Sequence, residues 1–320
     1  MRYQLLLTVA TLCALLGSSF TAHATTYLSP DFGTQVTANL LYGTGAINYG
    51  ADTLDLYLDY YEPTDIGTPV PATSPGILLI HGGSFISGDK ADLGFLADIY
   101  ASYGYRVLSI NYRLAGNLPP LEPGPAQYAV DLPPAIHPAV NAAYNDSLTA
   151  MNWMLANAAS LDIDASRVAI GGYSAGAGIA LAEAYYDPPV SGNPKAVLDF
   201  MGGLAGGESV LTETNLPPAF IVHDPLDPVA PFYWDANLAV KLTELGVYYE
   251  FWMPMGVGHN LNLTTLNQVM PNGKTLLENN LLFLATHVVP EPSTFVLSAV
   301  GLVGLTLLGW RRPAARRSRQ

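Results

Sequence analysis

Five residues, Gly172-Tyr173-Ser174-Ala175-Gly176, constrain the fold of this 320-residue chain more than any other stretch. Arg167-Val168-Ala169-Ile170-Gly171 enters them as a short apolar strand, and the Ala- and Gly-rich residues 175–184 leave them as a helix. A G-x-S-x-G turn between strand and helix holds a serine hydroxyl proud of the backbone, where a neighbouring base can reach it. Its glycines permit a bend and a close strand–helix approach that a Cβ would block. Such a turn belongs in a layered α/β architecture.

The rest of the chain is consistent with that class. Residues 54–60 alternate apolar and polar like a half-buried strand. Residues 76–80 and 106–111 are continuous apolar runs, the pattern of buried strands in a parallel sheet. Residues 196–201, 219–223 and 247–253 read as further strands, and 91–103, 139–158, 234–245 and 274–287 as helices. Alternation of this kind predicts a mostly parallel central sheet with helices on both faces. Residues 115–138, with seven prolines, break the alternation. A long irregular insertion in a compact domain is usually functional or disordered, and its place after a central strand predicts a rim or lid over a site.

Acyl transfer by a serine requires a base, an acid to orient the base, and donors for the oxyanion. Ser174 is the candidate nucleophile. The candidate base is His259 in the glycine-flanked Gly256-Val257-Gly258-His259-Asn260, after the last expected strand. The acid comes from His223-Asp224-Pro225-Leu226-Asp227-Pro228, between the two in chain order. Asp227, deeper in the turn, is the first choice, and Asp224, abutting the strand, is the alternative. The turn His81-Gly82-Gly83-Ser84-Phe85 follows the strand 77–80 and offers amides to a carbonyl oxygen, joined by the amide of Ala175. One such donor is worth about 3 kcal/mol in a transition state.

These elements together resemble the α/β-hydrolase superfamily, in particular its HGG-type carboxylesterases and lipases of the hormone-sensitive-lipase kind. The likeness runs from about Leu54 to His259. It includes His81-Gly82-Gly83-Ser84-Phe85-Ile86-Ser87-Gly88-Asp89-Lys90, Ile110-Asn111-Tyr112-Arg113-Leu114 and residues 162–176. The resemblance implies an α/β-hydrolase fold, oxyanion amides from Gly83, Ser84 and Ala175, and Asp227 as the acid. Ser84 stands where many members have a third glycine, and Asp224 where a glycine is usual in the acid turn.

Both ends read as topology devices. Met1-Arg2, an apolar run over 5–16 and Ala22-His23-Ala24 predict a signal peptide over residues 1–24. Residues 289–320 contain Pro290-Glu291-Pro292, an apolar run predicted as a membrane span over 294–310, and five arginines. This tail resembles the PEP-CTERM sorting signal of Gram-negative bacteria. It implies recognition of Pro290, Glu291 and Pro292 by a membrane-embedded sorting enzyme, transient anchoring in the inner membrane, and a final place at the cell surface or in the extracellular matrix. A permanent single-span anchor is the other reading.

The catalytic domain is then 25–288. The whole chain carries a net charge of −13. Its two ends hold six of the thirteen basic residues and one of the twenty-six acids, which leaves the domain at about −18, a charge that repels nucleic acid. The only cysteine, Cys13, lies in the leader, so the domain has no disulfide and no thiol nucleophile. No His/Asp cluster has metal-ligand spacing, and no metal or organic cofactor is expected. The expected activity is hydrolysis of carboxylic esters through an acyl-serine, with a small-molecule or glycan-linked O-acyl or aryl ester as substrate. Two alternatives stand beside it. One is a serine peptidase of the prolyl-oligopeptidase type, for whose propeller the roughly thirty residues before the first expected strand leave no room. The other is a non-catalytic surface adhesion module, which commonly loses the serine or histidine that both stand here.

Overall fold

Seven consecutive buried residues make β3 (Ser74–Ile80) a central strand. Strands covered on both faces are continuous apolar runs because each side chain, whichever way it points, meets a packed layer. β4 (Arg106–Ile110), β6 (Ala196–Phe200) and β7 (Ala219–Val222) are equally buried. With β1 (Gly33–Ile47), β2 (Asp52–Thr64), β5 (Ile163–Tyr173) and β8 (Tyr249–Trp252) they form an eight-stranded sheet of order β1-β2-β4-β3-β5-β6-β7-β8. β1 and β2 pair antiparallel, as do β2 and β4, and the remaining neighbours are parallel. The structure, a computed structural model, is described over residues 27–186 and 194–289. The leader expected at 1–24 and the span expected at 294–310 lie outside these residues.

Side chains along a strand alternate between faces, and the core divides accordingly. Leu78, Ile80, Val168, Ile170 and Val197 point into one cluster, where they meet α2 (His137–Ala156), α3 (Ala175–Tyr185) and α4 (Tyr233–Leu245). Ile77, Leu79, Ala169, Leu198 and Phe200 point into the other, against α1 (Gly94–Ser102) and α6 (Leu276–His287). The short α5 (Leu263–Leu266) precedes α6. Helices therefore cover both faces, as the alternation of runs predicts.

Three departures from the sequence reading have physical causes. β1, fifteen residues long, carries no expected strand signal because only two of its residues are buried. Its order comes from the ladder to β2, interrupted by register shifts at Thr37/Leu40 and Leu41/Gly43. The crossover expected as one helix over 91–103 begins instead as a 3₁₀ turn, Lys90–Leu93, closed by an Asp89–Asp92 capping box. The proline-rich segment is not structureless: it holds 3₁₀ turns at Ala115–Asn117, Pro125–Gln127 and Pro134–Ile136, and α2 already begins at His137.

Candidate active site

The loops that follow β3, β5, β7 and β8 all leave from the carboxyl ends of parallel strands, the edge where open α/β sheets build their sites. β5 runs into α3 through Ser174, whose φ of 55° and ψ of −122° lie in a region that costs a non-glycine residue about 1–3 kcal/mol. The two flanking glycines make that turn possible. A Cβ on Gly172 would sit 2.4 Å from the carbonyl carbon of Gly176, and one on Gly176 would sit 2.1 Å from the Ile80 oxygen. The Ser174 amide donates to Phe200 O at 2.8 Å, fixing the elbow to β6.

Ser174 Oγ lies 2.8 Å from His259 Nε2, and His259 Nδ1 lies 2.5 Å from Asp227 Oδ2. The carboxylate accepts from Nδ1–H, which leaves Nε2 free to accept from the serine hydroxyl. Asp227 is fully buried, and its other oxygen accepts from the amides of Val229 (2.7 Å) and Ala230 (3.0 Å). Asp224, the alternative acid, does not meet the imidazole. Its Oδ2 accepts from the Gly258 amide at 2.7 Å and its Oδ1 from Leu226 N at 2.9 Å, so it ties the histidine loop to the acid turn. Burial pushes the Asp224 carboxyl up, but the amides of Leu226, Gly258, Val257 and Gly256 outweigh it and hold the group below the usual carboxylate range. Tyr173 Oη donates to His259 O at 2.5 Å. Burial and then the Asp227 charge push that hydroxyl up to about 12, so it remains a donor.

The oxyanion turn is held from behind. Three successive residues, Gly83 (φ 109°), Ser84 (54°) and Phe85 (64°), are left-handed. The His81 ring stacks on Tyr112 with centroids 4.2 Å apart, and Tyr112 Oη donates to His81 O at 3.0 Å. Burial pulls the His81 imidazole below its usual range, which keeps it neutral. Ser84, Ser174 and Ala175 line one open cavity, walled by Phe85, Leu132, Ile136, Met201, Val229 and Trp234. Gly83 sits one residue behind Ser84, where an added Cβ would collide with the Ser87 carbonyl. Leu132 and Ile136 come from the proline-rich segment, which is thus a rim of the cavity. Ala175 opens the eleven-residue α3, so the positive end of the helix points at the same place.

Residues 58–193 match the BD-FAE family model. Over that stretch the chain is similar to the BD-FAE domain, an esterase-like α/β hydrolase. The match spans β2 to just past α3 and includes the turn His81–Phe85 and Ser174, while Asp227 and His259 lie beyond it. Residues 288–312 match the PEP-CTERM protein-sorting motif, which indicates export to the cell surface of a Gram-negative bacterium. Among solved structures, the chain is similar to a thermophilic esterase of the planctomycete Thermogutta terrifontis with butyrate bound. That likeness has 19% identity, a TM-score of 0.55, and coverage of 79% of this chain and 92% of that one. The same esterase phosphonylated by cyclosarin matches at 20% identity and TM-score 0.53, over 71% and 84% of the two chains. MGS-M1, an α/β-hydrolase enzyme from a Medee basin deep-sea metagenome library, matches at 18% identity and TM-score 0.55, over 80% and 98%. At these identities the likeness shows the fold. No curated protein matches the chain.

Among the described residues no group of His, Cys, Asp and Glu is placed to hold a metal, and no helix is long and apolar enough to cross a membrane. Sequence reasoning passed over Asp199, Asp235 and the part His223 plays beside them, all fully buried. A signal was present: Asp199 is the one charged residue in the strand Ala196-Val197-Leu198-Asp199-Phe200, where every neighbour is apolar.

Proposed function

We propose that this chain is an exported serine carboxylesterase, with Ser174 as nucleophile, His259 as general base and Asp227 as the acid that orients it. The observation that carries the reading is the continuous bonded path Ser174 Oγ–His259–Asp227, with distances of 2.8 and 2.5 Å, opening on a cavity beside Ala175. In the first step Nε2 takes the hydroxyl proton as Oγ attacks the ester carbonyl. The amides of Gly83, Ser84 and Ala175 hold the oxyanion, and the alcohol leaves with the proton from Nε2. Water, activated by the same nitrogen, then releases the acid from the acyl-serine.

The walls around Ser174 are largely apolar, which favours an apolar acyl group on the enzyme side of the scissile bond. An O-acyl or aryl ester carried by a cell-surface glycan fits an exported enzyme of this kind. The domain proper is residues 25–288, the leader 1–24 is removed, and the tail 289–320 holds the protein in the inner membrane through 294–310 until a sorting enzyme acts at Pro290-Glu291-Pro292.

The test is hydrolysis of p-nitrophenyl acyl esters and acylated polysaccharides by the tail-free protein beside Ser174→Ala. The reading predicts a loss of about 10⁴- to 10⁶-fold in kcat for the variant. Undiminished turnover by a folded Ser174→Ala, or turnover of peptides in place of esters, contradicts it.

A further inference from the structure

His223 ends β7, where its amide donates to Trp252 O at 3.0 Å, and its side chain is wholly buried. Its Nε2 is 3.1 Å from Ala230 O and 3.3 Å from Asp227 Oδ2, the same oxygen that receives His259. A carbonyl oxygen can only accept, so Nε2 carries a proton and donates toward both. Nδ1 lies 2.6 Å from Asp235 Oδ2, at the start of α4. Two oxygens here lack a donor from elsewhere, Asp235 Oδ1 and Asp199 Oδ2. The two carboxyl groups bond to each other, and a proton on Asp199 satisfies both. Burial, followed by the charge of Asp235, pushes Asp199 well above the usual range, in keeping with a neutral Asp199 that donates. Burial likewise pushes the Asp235 carboxyl up, to about 7. A proton between Asp235 Oδ2 and Nδ1 pairs the second ring nitrogen whichever of the two carries it.

We propose that His223 and Asp235 form a second imidazole–carboxylate pair behind Asp227, and that this pair fixes the rotamer of the carboxylate that orients His259. His223 is a positioning residue. It touches no substrate and acts through Asp227, so the inference rests on the serine reading given above. The charged or titratable groups facing His223 are Asp227 in the acid turn, Asp235 on α4 and, through Asp235, Asp199 on β6; the remaining ring neighbour is the edge-on Phe232 at 5.7 Å. The Nε2–H of His223 and the Nδ1–H of His259 share one oxygen of Asp227. Removing the first donor lets Asp227 hold the His259 proton more firmly, and the acid limb of the rate profile moves to higher pH.

The experiment measures kcat, KM and the pH profile of kcat/KM for the tail-free protein, His223→Gln and Asp235→Asn, with Ser174→Ala as control. His223→Gln cannot reach Asp227 and Asp235 at once, so the bridge between them is lost. It is expected to lower kcat about 10- to 100-fold, the usual scale when a bonded partner behind an orienting group is lost, with KM unchanged and the acid limb displaced upward. Asp235→Asn keeps the shape but weakens the hold on Nδ1. It is expected to move the limb in the same direction with a smaller loss of kcat. A role limited to packing lowers the melting temperature and leaves the limb in place, and that result overturns the proposal. In the unsubstituted protein, ¹⁵N-histidine NMR is expected to find a buried imidazole that carries a proton on Nε2. A His223 with Nε2 unprotonated overturns the proposal whether or not the variants fold. If Ser174→Ala keeps its activity, the serine reading fails; if it is dead and the other two variants match the parent, only this inference fails.

Discussion

The two walls of the cleft are held by different means. On one side stand the elbow at Ser174 and the acid and histidine turns, each fastened by backbone geometry: glycines with no room for a Cβ, a strained serine, and carboxylates that accept from main-chain amides. On the other side the segment from 115 to 136 contributes Leu132 and Ile136 and is fastened mainly by side chains. Arg113, buried at its root, bonds both Glu122 and Asp146. Asn141 donates to Glu122 O at 2.8 Å and accepts from the Ala126 amide at 2.9 Å. Asp131 accepts from Trp234 Nε1 at 2.8 Å and from Tyr233 Oη at 3.0 Å. The comparison teaches a division of labour: the wall that reacts is defined by the chain's path, and the wall that selects is clipped on by polar side chains that sequence change can retune.

The largest effect should come from the reacting wall. Asp227→Asn is expected to cost about 10⁴-fold in kcat, as loss of the orienting acid does in serine hydrolases. Asp224→Asn, which weakens only the clasp on Gly258, should cost far less; steady-state kinetics on both variants ranks them, and equal losses would erase the distinction drawn here. Next comes the clip on the selecting wall. Arg113→Met leaves Asp146 and Glu122 without their cation, and breaking such a buried pair typically costs about 3–5 kcal/mol. Urea unfolding should register that loss, while turnover of a short ester by the folded fraction stays within a few-fold of the parent.

Beneath the reacting wall, α3 carries the fully buried Glu183, which accepts from Ser147 Oγ on α2 at 2.5 Å. Burial pushes its carboxyl up to about 8, against an unfolded value near the ordinary glutamate range of about 4.3. Between those values the folded chain holds a proton that the unfolded chain has released, so stability falls as pH rises through the window. Thermal unfolding between pH 5 and 9 should show this decline, and Glu183→Gln should flatten it; an unchanged slope in the variant would contradict the assignment. The smallest effect concerns selectivity. A second, smaller cavity shares Phe85, Leu132, Gly178, Gly203 and Ala205 with the first and is floored by Ala182. Ala182→Leu should lower kcat/KM for medium-chain acyl esters about tenfold and leave acetyl esters nearly untouched. A uniform change across the acyl series would place the chain elsewhere.

Legibility follows the same division. The strand β5, the elbow and the helix α3 were readable because one local rule, glycine on either side of a strained serine, writes itself into five consecutive residues. The central strands were readable because burial on both faces makes them uniformly apolar. β1 was not, since an exposed edge strand owes its order to a partner ladder and leaves little hydrophobic trace. Asp224 and Asp227 sit three residues apart in one turn, and which of them faces the imidazole depends on the turn's path. The polar clips at Arg113, Asn141 and Asp131 are long-range, so no spacing announces them. Asp199 and Asp235, thirty-six positions apart, come together only through the order of β6 and β7 in the sheet.

The central claim is that Ser174 is activated by His259. It is tested most directly by treating the tail-free protein with a fluorophosphonate and locating the adduct by peptide mass mapping, in parallel with His259→Ala. The account predicts one adduct, on Ser174, formed rapidly in the parent and hardly at all in the variant. An adduct on another residue, or equal labelling of Ser174 with the imidazole removed, would contradict it.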